Sequence, residues 1–542
     1  MRNAFRNHVS GFVLLASAAA CEHRGIVGVT ASTGSGRDAT TDAAARLDAA
    51  GRLDAAGRLD ATVRADAKTG GNIFVDNCLP TNPANLTPAV AQQLIDGSGD
   101  ATSMRFLYPY AGTVYPRGIP GPVLMWDGPA SDVVYVRLHS SRFDYRGCLK
   151  PSAPNRLQLP SDIWDLAAKS TNGAGDPFTL DLKLLAGEAV HGPISEQLVI
   201  ATGALTGSVY YMSYTPVGGI FRVRAGGAAE AALAPLSCAG CHSISANGAR
   251  MLAYSSGFGS SFTLSASSPM PTLQSTAPGA EFAGVYPDGS VYVTSSHPAS
   301  GGGPMSRGGG VTNADLYDAS TGALIDGSGI PKGACMPAFS PDGQQLTFTD
   351  LGASPGHTLA SMRFSIATHA ASAYQTLYSS QSTYLGWPAF LPDGDAVVFA
   401  QGAAADFSGG SVGLIPVVLG PTTDLFIVDI ATKSTTLLAQ AMGFRSVADV
   451  EAQTTYLPGG TSDLHQSYYP TVSPIASGGY AWVFFDSART YGNQGAHRAV
   501  WGTAITVSSN GSYLADPSHP AFYLPGQDPN TPNFRAAAVP DP

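Results

Sequence analysis

Cys238, Cys241 and His242 form a run of two thiols two residues apart with an imidazole directly after them. That spacing is the attachment pattern of c-type haem, in which the thiols form thioethers to the porphyrin vinyl groups and the imidazole ligates the iron. Two other chemistries fit the same residues. One is a Cys238–Cys241 disulfide; the other is half of a zinc site, although no second Cys/His cluster follows at zinc-ligand spacing. For the opposite face of an iron, Met336 and His465 are the candidate distal ligands, with Met251, Met305 and His297 as further donors. A His/Met pair raises the reduction potential relative to bis-His, and an open position allows ligand chemistry instead.

Other clusters are weaker. The run Asp96 to Asp100 has the carboxylate density of a calcium loop without its twelve-residue ligand pattern, so it reads as a turn. The triplets Gly301–Gly303 and Gly308–Gly310 lack the flanking strand, helix and Lys-Ser/Thr of a phosphate loop. No nucleophile-elbow phrase supports a hydrolase.

The elements that must position the motif are read from a recurring phrase. Pro337-Ala338-Phe339-Ser340-Pro341-Asp342-Gly343 returns as Pro388-Ala389-Phe390-Leu391-Pro392-Asp393-Gly394, and in shorter form as Val285-Tyr286-Pro287-Asp288-Gly289. Pro470-Thr471-Val472-Ser473-Pro474 is a weaker copy. Each predicts a strand, a tight Asp-Gly turn and a second strand. A period of about 40–55 residues is that of one propeller blade. The wider gap between Gly394 and Pro470 leaves room for a divergent blade. Ser243 to Gly248 is a degenerate copy with Asn-Gly for Asp-Gly, which aligns His242 with Pro337 and Cys241 with Met336. Phrase-bearing strands are expected near the propeller axis, so the motif and Met336 converge on one mouth of the central channel, with His465 just ahead of another copy. No amphipathic helix of adequate length surrounds Cys238, which argues against a helical cytochrome domain.

These copies resemble the repeats of TolB-like, WD-repeat-related β-propellers, over roughly 238–526. The wider layout is similar to a group of exported lipoproteins of the myxobacterial type. Cys238 to His242, Ser245 to Gly248, Ser487 to Gly492 and Asp516 to Gly526 carry that resemblance. It implies a fold and no settled activity.

Ahead of the repeats, 72–224 alternates apolar and polar residues in short runs, at 104–108, 123–126, 133–138, 178–184 and 208–214. Turns of Gly, Pro, Asn and Asp separate them, the spacing of an immunoglobulin-like or fibronectin-like sandwich, with Trp126 as a core aromatic. The expected fold class is therefore all-β: a sandwich followed by a propeller of about six blades. The expected divisions are an export signal at 1–20, a tether at 21–71, the sandwich at 72–224, a linker at 225–237, the propeller at 238–535 and a tail at 536–542.

Arg2 and Arg6 precede the apolar run Phe12 to Leu15 and small residues leading to Cys21. The junction Ala18-Ala19-Ala20-Cys21 resembles a lipobox, departing from it at Ala18 where Leu is usual. The resemblance implies lipidation of Cys21 and membrane anchorage; ordinary cleavage after an A-x-A site also fits. The tract that follows repeats Arg-Leu-Asp-Ala-Ala-Gly from Arg46 and is too poor in apolar residues to fold alone. Export puts the thiols in an oxidising compartment, where Cys78 and Cys148 are the expected disulfide and Cys335 is left over.

The formal net charge of -10 leaves no basic surface for nucleic acid. The leading expectation is a cell-envelope lipoprotein with one haem c, passing electrons to a redox partner or sensing redox state. A surface propeller recognising protein or glycan, with a structural CxxCH, is the alternative. A haem peroxidase is the third. A carrier or binding protein is expected over a catalyst.

Overall fold

The computed structural model describes residues 72–213, 218–224, 226–233, 242–255, 258–266, 268–280, 283–295, 313–352, 356–403 and 422–542, with the backbone of 62–65. Cys21 with the export signal, Cys238, Cys241, His297, Met305 and both glycine triplets lie outside the described residues.

The N-terminal region is built on a seven-stranded mixed sheet. In spatial order its strands are Thr62–Ala65, Ile73–Asn77, Phe143–Leu149, Val133–His139, Phe178–Ala186, Ala189–Ala204 and Val114–Arg117. Within Phe178–Ala186 the alternation is visible in burial, with Phe178, Leu180, Leu182 and Leu184 inside and Thr179, Asp181 and Lys183 turned outward. Each such Leu contributes about 1.5–3 kcal/mol by leaving water. A three-stranded sheet, Arg105–Tyr108, Val123–Asp127 and Arg156–Gln158, stands apart, and Trp126 is buried in the core.

This region departs from the expected sandwich. Ile73–Asn77 runs parallel to Phe143–Leu149, and Val114–Arg117 runs parallel to Ala189–Ala204. Two helices also interrupt the strands, Pro88–Asp96 and Ser161–Ser170. The first is started by Thr87, whose hydroxyl accepts from the Val90 amide, with proline at the head of the helix. The second buries Ile163, Trp164, Ala167 and Ala168 on one helical face, and Trp164 donates to the Ile119 carbonyl at 3.0 Å. Helices this short leave a periodic signal too brief to read between strands. Order also begins earlier than the expected tether end, because Thr62–Ala65 pairs with Ile73–Asn77. Cys78 and Cys148 form a disulfide with Cα atoms 4.8 Å apart.

Six four-stranded antiparallel sheets follow among the described residues. Blade 1 joins Ser208–Ser213, Gly219–Arg224 and Ala229–Leu233 to Asn533–Val539 from the far end of the chain. Blades 2 to 6 lie within 242–276, 284–325, 334–379, 384–437 and 467–523. Their inner strands are His242–Ile244, Gly284–Val285, Ala334–Phe339, Tyr384–Phe390, Ser467–Val472 and, for blade 1, Asn533–Val539. Each inner strand touches the next, and Asn533–Val539 touches both Ser467–Val472 and His242–Ile244, so the ring closes.

This closure moves three expected boundaries. Residues 208–213 and 219–224 belong to a blade, the expected linker supplies the outer strand Ala229–Leu233, and the expected tail contributes residues 536–539 to the innermost strand of blade 1. Pairing between the two ends of a propeller is long-range and leaves no local pattern to read. The gap before Pro470 holds outer strands of blade 5 and the short helices Ala439–Met442 and Val447–Ala452; it adds no further sheet among the described residues.

The repeated phrase makes one turn four times. Gly248, Gly289, Gly343 and Gly394 have φ of 74, 79, 73 and 75°, and each amide donates to the carbonyl three residues back. Asn247, Asp288, Asp342 and Asp393 each accept an amide two residues on.

Candidate functional site at the propeller hub

The six inner strands line one central cavity of about 160 Å³. Its wall includes His242, Met336, Trp387 and Arg535, with Pro337, Pro388 and Pro470 at equivalent places. The expected convergence of His242 and Met336 on the hub is the arrangement present. His242 is buried and opens the inner strand of blade 2, where it pairs with Ala253.

The backbone explains how side chains reach the axis. Met336, Trp387, Tyr469 and Arg535 have φ of 52, 56, 53 and 41°. Each sits where the pairing register of its inner strand slips: between Cys335 and Ala338, Gly386 and Ala389, Tyr468 and Thr471, and Phe534 and Ala537. These are β-bulges, which re-aim a side chain at the cost of ladder pairing. A non-glycine residue in the left-handed region costs on the order of 1–3 kcal/mol, and such strain persists only where the surroundings enforce it. Met336 and Trp387 stand seven residues ahead of their turn glycines, and Cys241 stands seven ahead of Gly248. That spacing is a feature of the sequence, since Cys241 lies outside the described residues.

The bulged residues are held by one another. The Met336 amide donates to Ser295 Oγ at 2.8 Å, and its sulfur accepts the Trp387 amide at 3.3 Å. Trp387 meets Tyr469 edge-on at 4.7 Å, and the Arg535 guanidinium lies 4.6 Å from the Trp387 ring centre. Behind them Arg498 binds Asp486 at 2.5 Å and lies 4.2 Å from the Tyr468 ring centre. Burial pushes the Asp486 carboxyl up to about 6, against the pull of Arg498.

His465 is not brought to this set. It lies outside the cavity wall, with Nδ1 2.7 Å from Asp424 and Nε2 3.1 Å from Gln453. The hydrogen bond to Asp424 raises its pKa while partial burial opposes the rise. Both ring nitrogens are therefore engaged, and a role on iron would cost two hydrogen bonds. Met251 is a core residue packed with Tyr210, Ile220 and Ala253. Cys335 is a buried free thiol, and burial pushes it up to about 12.

Motif residues from the wider layout are structural. Arg489 is buried and donates to the Ala441 carbonyl, Ser467 and Ser487. Asp516 accepts the amides of Gln440 and Ser518, fixing Ala439–Met442 to blade 6. Asp96 and Asp100 accept from Gln92 and Thr102.

Sequence reading missed Trp387, Tyr469 and Arg535. The signal available for the first two was an aromatic directly before the proline of the phrase; a pre-proline residue is ordinarily extended, so a left-handed one is not expected there.

The cavity decides how a porphyrin relates to this hub. Pockets that enclose even drug-sized molecules run to about 300–1,000 Å³, so a space of about 160 Å³ holds side chains or water and not the macrocycle. The donors present, a buried imidazole and a thioether, suit haem iron, and the guanidinium of Arg535 suits a carboxylate. The donor types suit the group, while the cavity that His242 and Met336 line is too small as it stands to enclose it.

No helix among the described residues is long and apolar enough to cross a membrane. No protein-family model and no curated protein matches this chain. Among solved structures it is similar to TolB from Acinetobacter baumannii, at 13% identity over 74% of this chain and 90% of that one, with a TM-score of 0.39. It is similar to a periplasmic gluconolactonase from Pseudomonas aeruginosa, at 10% identity over 75% and 100%, with a TM-score of 0.31. It is also similar to an oligogalacturonate lyase from Vibrio parahaemolyticus, at 12% identity over 56% and 88%, with a TM-score of 0.32. Each of these likenesses, at 10–13% identity, is one of fold alone.

Proposed function

We propose that this chain is an exported protein, anchored through a lipidated Cys21, that carries one haem c and serves electron transfer or redox sensing in the cell envelope. Cys238 and Cys241 hold the porphyrin, and His242 is the proximal ligand. Bound there, the haem supplies a one-electron couple. Of the chain's own residues, His242 at the start of an inner strand would hold the iron, and Arg535 in the hub wall would offer a cation to a carboxylate of the group. For Met336 to serve as a distal ligand the hub must open, because the cavity it shares with His242 is too small to admit the group.

One observation supports this reading: His242 of the CxxCH run lines the central cavity together with the bulged residues Met336, Trp387 and Arg535 of other blades. A disulfide or a zinc half-site would have no need of the hub. The test is a pyridine haemochrome spectrum of protein matured with haem-attachment machinery. We expect a c-type α-band that disappears in the Cys238→Ala, Cys241→Ala double variant. No band in the parent protein would sink the proposal.

The second reading is a recognition propeller. Trp387 and Arg535 in the hub wall are residue types enriched at binding hot spots, which is the observation in its favour. In that case the hub binds its partner equally well with both cysteines replaced.

A further inference from the structure

A second cavity, of about 390 Å³, lies between the N-terminal sheets and the connection from blade 5 to blade 6. Ile194, Ser195 and Glu196 come to it from Ala189–Ala204, and Arg105 and Phe106 from Arg105–Tyr108. Arg445, Thr455 and Tyr456 come from the segments flanking the helix Val447–Ala452. Nothing in the proposed haem reading uses it.

Two residues of this wall carry a buried polar atom without a hydrogen-bond partner, Glu196 Oε2 and Tyr110 Oη. A buried polar group left unpaired costs about 1–3 kcal/mol, so a small rotation that turns either atom into the adjoining cavity to meet a ligand is favoured. Arg445 is exposed, and its guanidinium touches only the Tyr456 face, at 6.0 Å from the ring centre, among the described contacts. Arg105 is already neutralised by Asp127 at 2.7 Å. The cavity therefore presents the Arg445 guanidinium, which has Asp449 as its acidic neighbour outside the wall, with a phenol and a carboxyl group, beside apolar wall from Phe106, Pro109 and Ile194.

The protonation state of Glu196 completes the donor set. Burial pushes its carboxyl up to about 8, against the pull of Arg445. Tyr110 and Tyr456 are both held protonated by burial, well above their ordinary value. At neutral pH the site then consists of donors: a carboxylic acid O–H, a phenol O–H and a guanidinium. We propose that this cavity binds a small organic monocarboxylate, its carboxylate held by Arg445, Glu196 and Tyr110 and its carbon skeleton on Phe106, Pro109 and Ile194. One cation selects one negative charge, and the apolar wall selects a carbon body over an inorganic oxyanion. Above pH 8 the Glu196 carboxylate competes with the ligand for Arg445.

Calorimetric titration of the full mature protein with butyrate, acetate and sulfate at pH 7.0 and 9.5 tests this. Butyrate should bind one to one at pH 7.0, more tightly than acetate, with sulfate weakest. Its affinity should fall about thirtyfold by pH 9.5, as the proton on Glu196 is lost. Glu196→Gln should bind at both pH values without that fall, and Arg445→Ala, at an exposed position that leaves the fold intact, should weaken binding at least tenfold. No butyrate binding at millimolar concentration, sulfate binding as tightly as butyrate, or an unchanged pH dependence in Glu196→Gln would each overturn the proposal. None of these outcomes bears on haem.

Discussion

At the scale of residues, the hub is organised by side chains in a backbone region that ordinary residues avoid. Trp387 and Tyr469 are bulky and precede proline, yet both are left-handed because each is clamped by the other and by Arg535 or Arg498. Their placement comes from contacts between blades, which no local window of sequence contains. The CxxCH run was legible because its chemistry is written in three adjacent residue types. Glu196 was not, since its environment is assembled from segments far apart in sequence. That environment has a consequence for stability. A carboxyl raised by burial from 4.5 to about 8 contributes stability that is full at low pH and is lost as pH rises toward 8. Glu196→Gln keeps the shape and removes the titration. Melting curves of the two proteins should nearly coincide at pH 5, and at pH 9 the Gln variant should be more stable by roughly 2–4 kcal/mol. Parallel behaviour at both pH values would contradict a buried Glu196.

At the scale of elements, the repeated turn is the unit that sequence specifies best. Pro-Asp-Gly fixes a left-handed glycine and an aspartate-capped bend, and both are present in blades 3, 4 and 5. The turns differ in their surroundings, which gives a graded test. A Cβ on Gly343 would collide with the Tyr286 ring, itself packed edge-on against Phe339 at 5.3 Å. A Cβ on Gly394 would meet only Gln345 at 3.6 Å. Gly394→Ala should therefore cost about 1 kcal/mol from backbone strain, and Gly343→Ala about 2–4 kcal/mol from strain plus displaced aromatic packing. Denaturant titration reads both, and equal losses would argue against the packing of blade 3 on blade 4. The outer strand Ala229–Leu233 and the helix Ser161–Ser170 were illegible for a different reason. The first is rich in small residues, and the second buries only four side chains, so neither shows a sustained period.

At the scale of the whole molecule, the ring is closed by its two ends. Asn533–Val539 is the innermost strand of blade 1, paired to Ser208–Ser213 in sequence-distant register, with Asn533, Phe534, Ala536 and Ala538 buried. Removing 533–542 leaves a three-stranded blade and exposes an inner edge facing the hub. Thermal unfolding of that truncation should lose its sharp transition or shift downward by more than about 10 °C. An unchanged melt would mean that the ring does not depend on this closure. The same ring places His242 in the wall of the central cavity, to which every blade contributes residues. The most direct measurement of the account is therefore the intact mass of the mature protein, produced with haem-attachment machinery. It should equal the processed polypeptide plus one porphyrin, and a bare polypeptide mass would contradict it.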